Sequence, residues 1–492
     1  MGNSFISQHG NIRFEQVARK KLSVEAMPGQ GWIELKEGKG AVSAYSLDHE
    51  LAHICANLPF HGPFKENSLL VHFDGGASLS NVSAYTFRNG EIELVEFHWE
   101  LSHLSKFFND NALAFAILGH LPKEHCAVPG KLMGFATMGS PRTEVLEWLK
   151  KNDFFKDCWE DKTAFYESAR ETFAWEGKLG DTRDALLQDI AACMQHTFEE
   201  GWLSYLEALQ ARVKAAYLYL SGGCALNIVA NSRIVAQAWF KDVFIPPCPG
   251  DSGLSVGAAA FFEWKKHGKV NLHHPYMNNV GLPAQFEKYG SELIERVAQA
   301  LGAGKIIGVA NGAGELGPRA LGNRSIIARP DSRELAEKVS IHCKNREWYR
   351  PIAPVMLEKH ALRLTGQNEI HHLSKYMLLD FFIPQENRKE IEGVVHANGT
   401  ARIQVIFARE DNPFIWDLLT CLDDKYDISA LINTSFNRRG EPIVHTAEQA
   451  LASAQSMELD CVLLDYQLKN VNKKEYDLET NSSVSRLDPL SE

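Results

Sequence analysis

Hydrophobic positions along this chain change period several times, and each change predicts an element. Leu69, Leu70, Val71 and Phe73 form a buried-strand run. Residues 84–87 and 92–95 flank Asn89-Gly90, the strongest short hairpin signal, and 91–95 alternates as a half-exposed strand does. Helical periodicity dominates 182–213. Two further apolar runs, 216–220 and 243–246, lead into Ser221-Gly222-Gly223 and Pro249-Gly250-Asp251-Ser252-Gly253, each followed by a helical pattern, at 225–238 and 254–264. Strands that end in Gly/Ser/Asp turns and feed helices mark the ligand edge of an α/β sheet. Residues 1–40 are polar and poorly periodic, 265–283 read as a linker rich in His, Pro, Asn and Gly, and the polar stretch after about residue 469 reads as a disordered tail. A helix over 286–301 and a strand over 305–309 follow the linker, and no internal repeat is visible.

Composition narrows the picture. The chain has 492 residues, enough for two or three domains, with 45% hydrophobic and 23% charged residues, ordinary values for a globular protein. A net charge of −11 argues against a general nucleic-acid binder. No apolar run reaches the roughly eighteen residues that span a bilayer, no signal peptide precedes the polar start, and Ile6 breaks a myristoylation motif after Met1-Gly2. The expectation is a cytoplasmic protein. Its nine cysteines are scattered without a C-x-x-C pair, as reduced core thiols are.

Three constellations carry chemistry. His49 and His53 lie four residues apart, so a helix would put both imidazoles on one face, within reach of one metal ion. On spacing alone they read equally as surface or capping histidines, and further ligands are needed. Asp74 and Asp251 are candidates because each follows a strand and sits in a glycine-rich turn. The second constellation is the pair of strand-turn-helix loops, in which Gly222, Gly223, Asn227, Gly250, Ser252 and Gly253 could hold phosphate against backbone N–H groups. Either loop alone could be only a tight connection. The third begins with the run Gly314-Glu315-Leu316-Gly317-Pro318-Arg319-Ala320-Leu321-Gly322-Asn323-Arg324, which sets two guanidinium forks, a carboxylate and glycines close together. Lys344-Asn345-Arg346-Glu347, Arg350 and, far downstream, Ser435-Phe436-Asn437 continue it. On spacing alone these residues fit a surface ion-pair network equally well.

The run from Gly314 resembles the C-terminal signature of the NodU/CmcH carbamoyltransferases. His49-x-x-x-His53, the loops with Asp74-Gly75-Gly76, Gly130-Lys131-Leu132-Met133-Gly134, Thr400-Ala401-Arg402-Ile403-Gln404 and Gly440-Glu441-Pro442-Ile443-Val444 resemble other family segments, over about residues 48–470. The resemblance implies an α/β protein with an actin-like ATPase (ASKHA-type) domain at 41–265, incomplete at its start, a linker at 266–284 and a YrdC-like α/β domain at 285–470. Residues 1–40 are expected to be irregular and 471–492 a polar tail. It also implies a two-step enzyme. Carbamoyl phosphate and ATP give carbamoyl-adenylate in the YrdC-like domain, with Arg319, Arg324, Lys344, Arg346, Ser435 and Asn437 on the phosphates and Glu315, Arg350 and Arg402 beside them. In the actin-like domain, Fe2+ or another divalent metal on His49, His53, Asp74 and Asp251 serves transfer to a small-molecule hydroxyl acceptor. Mg2+ is the further expected cofactor, and a homodimer is left open.

Two departures from the family pattern stand out. Neither a His-Asp-x-Ala-Ala motif nor a Glu-Glu-Arg-Phe-like segment precedes His49, and Gly312-Ala313 stands where the family commonly has Gly-Arg. The first suggests a shortened, divergent or partner-completed chain, the second a weaker hold on carbamoyl phosphate. Alternative readings are a non-catalytic nucleotide-binding homologue and a threonylcarbamoyl transferase acting on tRNA.

Overall fold

The computed structural model describes residues 5–7, 10–13, 29–35, 41–77, 80–108, 111–120, 128–155, 162–278 and 289–471, and before residue 47 only the backbone path. That path corrects the expectation of an irregular start. Phe5–Ser7, Gly10–Arg13, Gly29–Leu35 and Ala41–Ser46 form a four-stranded antiparallel meander.

The first large sheet has five strands: β1 (Ser68–Phe73), β2 (Val82–Arg88), β3 (Glu91–His98), β4 (Tyr217–Ser221) and β5 (Asp242–Phe244). Their order is β3-β2-β1-β4-β5, with the first three antiparallel and β1, β4 and β5 mutually parallel. Asn89 and Gly90 both have positive φ, 53° and 77°, as the expected hairpin turn requires. Strand β1 is buried throughout, whereas β3 alternates exposed and covered positions. These are the two patterns read from the hydrophobic spacing.

Five helices matter to the site: α1 (His49–Cys55), α2 (Val128–Ala136), α3 (Ala185–Val213), α4 (Ile228–Ala236) and α5 (Leu254–His267). Helix α3 starts at Asp184, whose carboxylate accepts from the N–H groups of Leu186 and Leu187, and it lies along α2 and α4.

The second large sheet has seven strands: β6 (Ile307–Ala310), β7 (Arg324–Ala328), β8 (Ala353–Leu357), β9 (Gln404–Ile406), β10 (Ala430–Ser435), β11 (Cys461–Leu464) and β12 (Gln467–Asn470), in the order β9-β8-β10-β7-β6-β11-β12. Helices α6 (Ser291–Gly302) and α7 (Pro413–Tyr426) pack together on one face. The expected linker is partly ordered: Tyr276–Asn278 pairs with Gly314–Glu315, and the Tyr276 hydroxyl donates to Leu321 O. Residues 286–288 of the expected α6 and the tail from 472 lie outside the described residues. One apolar cluster runs from β1 and α3 through to β7 and β10, so the two sheets share a continuous core.

Candidate functional site

Because β1, β4 and β5 are parallel, the turns after them meet at one edge of the sheet. Strand β1 delivers Asp74, β4 delivers Gly222-Gly223, and the loop after β5 delivers Pro249 to Asp251. Gly222 has a φ of 93°, and a Cβ there would come within 2.2 Å of Phe73 O, so only glycine fits this turn. Helix α1 brings both histidines to the same edge.

The four expected metal ligands converge. His53 Nε2 lies 2.9 Å from His49 Nε2, 3.3 Å from an Asp251 oxygen and 3.6 Å from an Asp74 oxygen, and His49 Nε2 lies 3.5 Å from Asp251. Ligand atoms around one ion at about 2.1 Å would stand about 3.0–3.4 Å apart. The protonation pattern agrees. His53 Nδ1 is 2.8 Å from Pro249 O, which can only accept, so that nitrogen carries the proton. Burial, opposed by Asp74, holds the imidazole below its ordinary pKa, and Nε2 therefore turns a lone pair toward two carboxylates. Such a convergence of acceptors calls for a cation, and mixed imidazole and carboxylate donors suit iron, zinc or manganese better than magnesium or calcium. The residues fit the divalent metal that the sequence implies. His72, which sequence reading missed, stacks on His53 at 5.0 Å, fully buried with neither ring nitrogen bonded among the described residues. Its place inside β1 hid it among apolar neighbours.

The glycine turns do something other than expected. Gly222 N–H donates to Pro249 O and Gly223 N–H to Asp74, at 2.8 and 2.6 Å, so both serve the ligand shell and are not free for phosphate. Asn227 caps α4 and bonds Gln195, which also occupies it. Gly250, Ser252 and Gly253 form the tight turn that carries Asp251 into α5.

A second site lies where α2 and α4 meet the seven-stranded sheet. A cavity of about 110 Å³ is lined by Arg319, Arg346, Arg350 and Arg402, with Ser435 at the end of β10. Burial lowers all four guanidinium pKa values, and repulsion from neighbouring arginines of the cavity adds to it for three: Arg319 goes far down, Arg346 to about 9 and Arg402 to about 10, while Arg350 is lowered by burial foremost and then by Arg439. Lys344 is also pushed well down by burial and by Arg346; its ammonium bonds Ser435 O and Asn437 O, with Ser435 Oγ and Asn437 Oδ1 at 3.3 and 3.0 Å. The Lys-x-Arg and Ser-x-Asn pairs are thus joined in space. Glu347 bridges Lys131 at 2.8 Å and Arg439 at 3.2 Å.

The signature loop divides its labour differently from the expectation. Arg319 enters the cavity, but Arg324 is only 1% exposed and directs its donors to the carbonyls of Asn311, Gly312 and Asn323 at 2.8–2.9 Å. Glu315 accepts from the N–H groups of Leu321 and Gly322. Both hold the loop's shape, which explains why their residue types alone suggested ligand contact. Gly317, with a φ of 102°, lies against the other site: a Cβ there would meet Pro247 O at 2.2 Å.

Comparison with known proteins decides the family. The carbamoyltransferase N-terminus model matches residues 9–260, and the carbamoyltransferase C-terminus model matches residues 298–470. The chain is a carbamoyltransferase of the NodU-like family. An uncharacterised protein of Methanocaldococcus jannaschii is 26% identical to this carbamoyltransferase over 465 residues, covering 86% of this chain and 73% of that protein. One from Synechocystis is 28% identical over 476 residues, with 85% and 75% covered. Nodulation protein U of Azorhizobium caulinodans is 34% identical over 262 residues, with 51% and 45% covered. Among solved structures, HypF in its phosphate- and nucleotide-bound form is 18% identical over 36% of this chain and 21% of that one, at a TM-score of 0.24, too slight a likeness to bear on fold or ligand. No described helix is long and apolar enough to cross a membrane.

Proposed function

We propose that this carbamoyltransferase activates carbamoyl phosphate with ATP and passes the carbamoyl group to a hydroxyl of a small molecule. The observation that carries the reading is the cavity lined by Arg319, Arg346, Arg350 and Arg402, where burial lowers every guanidinium pKa and neighbouring arginines push Arg319, Arg346 and Arg402 down further. Arginines crowded this way around a buried cavity are stabilised by a polyanion. The balanced activation step is carbamoyl phosphate, ATP and water giving carbamoyl-adenylate, pyrophosphate and phosphate. Arg319, Arg346, Arg350 and Arg402 would neutralise the transferring phosphates and oppose the charge that develops on the leaving pyrophosphate, with Ser435 beside them, and Lys344 and Asn437 would act by holding the Ser435 turn in place. Arg324 and Glu315 would act by keeping the loop in shape. The seven-stranded unit at 285–470 is read as YrdC-like, and the unit at 41–265, with three parallel strands ending at glycine turns, as actin-like.

Transfer then takes place at the edge where His49, His53, Asp74 and Asp251 meet. His49, His53, Asp74 and Asp251 would hold a divalent metal, read as iron, and when bound it would supply Lewis acidity toward the adenylate phosphate. The acceptor oxygen bonds to the carbamoyl carbon, its proton leaves to solvent or a base, and AMP departs. The chain's own contribution is to fix the four ligand atoms and, through Pro249 O on His53 Nδ1–H, the tautomer that leaves Nε2 free.

Pyrophosphate release by the purified protein tests this reading. Release from ATP that depends on carbamoyl phosphate is expected. Its absence from folded, metal-loaded protein would turn the reading toward a non-catalytic nucleotide binder. His49→Ala should weaken metal binding by more than the roughly 10–100-fold that outer partners cost. It should stop transfer to the acceptor while sparing pyrophosphate release, so loss of both would refute the division between the sites.

A further inference from the structure

The arginines explain how the cavity holds phosphate, but two buried atoms beside them do not fit a phosphate site. Asp380 and His396 line the same cavity, with side chains 7% and 5% exposed. Asp380 Oδ1 and His396 Nε2 have no hydrogen-bond partner among the described residues. The histidine's tautomer follows from its other nitrogen. His396 Nδ1 lies 3.1 Å from Thr400 Oγ1, whose one proton goes to an acceptor in either case, Asn398 Oδ1 at 2.9 Å or the Asp380 carboxyl. Nδ1 therefore donates, and Nε2 presents a lone pair. Burial drives the imidazole pKa down to about 3, which keeps it neutral, and lifts the Asp380 carboxyl to about 6 against the opposing pull of the Thr400 hydroxyl and the charge of Arg402.

Two acceptors in a pocket of donors repel phosphate oxygens, and a buried acceptor without a donor is destabilising. A ligand that satisfies both halves of the pocket carries phosphate oxygens at one end and two N–H bonds at the other. We propose that Asp380 Oδ1 and His396 Nε2 accept the two N–H bonds of the carbamoyl group while the four arginines hold the phosphate. This inference rests on the reading of the cavity as a carbamoyl phosphate site and adds to it the subsite that selects the acyl group. Acetyl phosphate is the informative competitor, because a methyl stands where the carbamoyl group has NH2. A site that bonds the N–H groups of its substrate rejects an analogue lacking them by roughly 10⁴-fold, since its own polar atoms are then left unpaired. A pocket that recognises phosphate alone treats the two nearly alike.

The test uses the full chain, carbamoyl phosphate, acetyl phosphate and inorganic phosphate. Equilibrium binding of the two acyl phosphates is measured by competition with inorganic phosphate, and pyrophosphate release with each is followed in parallel. The unaltered protein should prefer carbamoyl phosphate by roughly 10⁴-fold. Asp380→Ala and, independently, His396→Leu should each cut that preference by at least about 100-fold through weaker carbamoyl phosphate binding. Stabilisation by inorganic phosphate should persist in both, which shows that the arginine cavity is intact. Equal binding of the two acyl phosphates by the unaltered protein would overturn the proposal even if neither variant folds. An unchanged preference in both folded variants would also overturn it. Selective binding without pyrophosphate release would leave the subsite standing and remove the adenylation reading instead.

Discussion

The two arginines of the signature loop show how residue type and residue role separate. Arg319 and Arg324 stand five positions apart in one motif, yet one lines a cavity and the other is enclosed by backbone carbonyls. Replacing Arg324 with Met would leave several buried carbonyls without donors, at a cost of about 3 kcal/mol in stability. The folded fraction should still be stabilised by inorganic phosphate. Arg402→Met should behave in the opposite way. Its guanidinium is held at about 10 by burial and by Arg350, so in the folded, empty protein the charge is disfavoured relative to the unfolded chain. Removing it should leave the empty protein at least as stable. Phosphate at a hundred times its dissociation constant adds about 2.7 kcal/mol to the native protein, and most of that gain should vanish in the variant. Thermal melts with and without phosphate check both. A phosphate response lost in Arg324→Met and kept in Arg402→Met would invert the assignment of the loop.

At the scale of elements, the metal edge depends on how closely α5 approaches α1. A Cβ added at Gly257 would lie 1.8 Å from Ala52 O, one residue before His53, and 2.7 Å from Ala56 N. Gly257→Ala therefore has to push α1 away from α5. The expected result is a loss of metal affinity of about tenfold or more, of the kind that outer-shell changes produce, with all four ligands still present. Metal titration of the folded variant reads it out, and native affinity would mean that α1 is not set by this contact. The elements themselves were largely legible in the sequence. Strand β1, the Asn89-Gly90 hairpin, α3 and the strand-turn-helix loops follow directly from period and turn chemistry. Spacing and turns made His49, His53, Asp74 and Asp251 candidates only, and the family resemblance was what joined them into one set. Asp380, His396 and His72 were not legible, because their significance lies in the absence of partners, which only folding reveals. Nor could the turns at Gly222 and Gly223 show that their N–H groups serve Pro249 and Asp74, since a glycine's spacing does not say what it bonds.

For the whole molecule, the arginine cavity exists only where the two sheets come together, so the contacts that fix their relation also shape the site. Asp380 is tied to α4 through Ser232, Trp348 donates to Thr182, and Arg183 covers the Trp348 ring at 4.6 Å. Another tie begins at β5: His372 Nε2 is 2.9 Å and His371 Nε2 3.3 Å from one oxygen of Asp242. Burial alone would raise the Asp242 carboxyl, but the bonds from His371 and His372 hold it below the usual range. A carboxyl depressed in the folded state stabilises the protein above its unfolded pKa, near 3.9, and that stabilisation is lost as pH falls toward the folded value. Asp242→Asn should lower the melting temperature at pH 7. The gap to the native protein should stay level down to about pH 4 and then close, because protonation removes from the native protein what the substitution has already removed. Melts from pH 7 to about 2.5 decide the matter. A gap that stays constant below pH 4 would mean that Asp242 acts through its shape and not its charge. The same variant should also weaken the phosphate-induced stabilisation if the tie sets the cavity, whereas a full phosphate response would limit its role to the periphery of the interface.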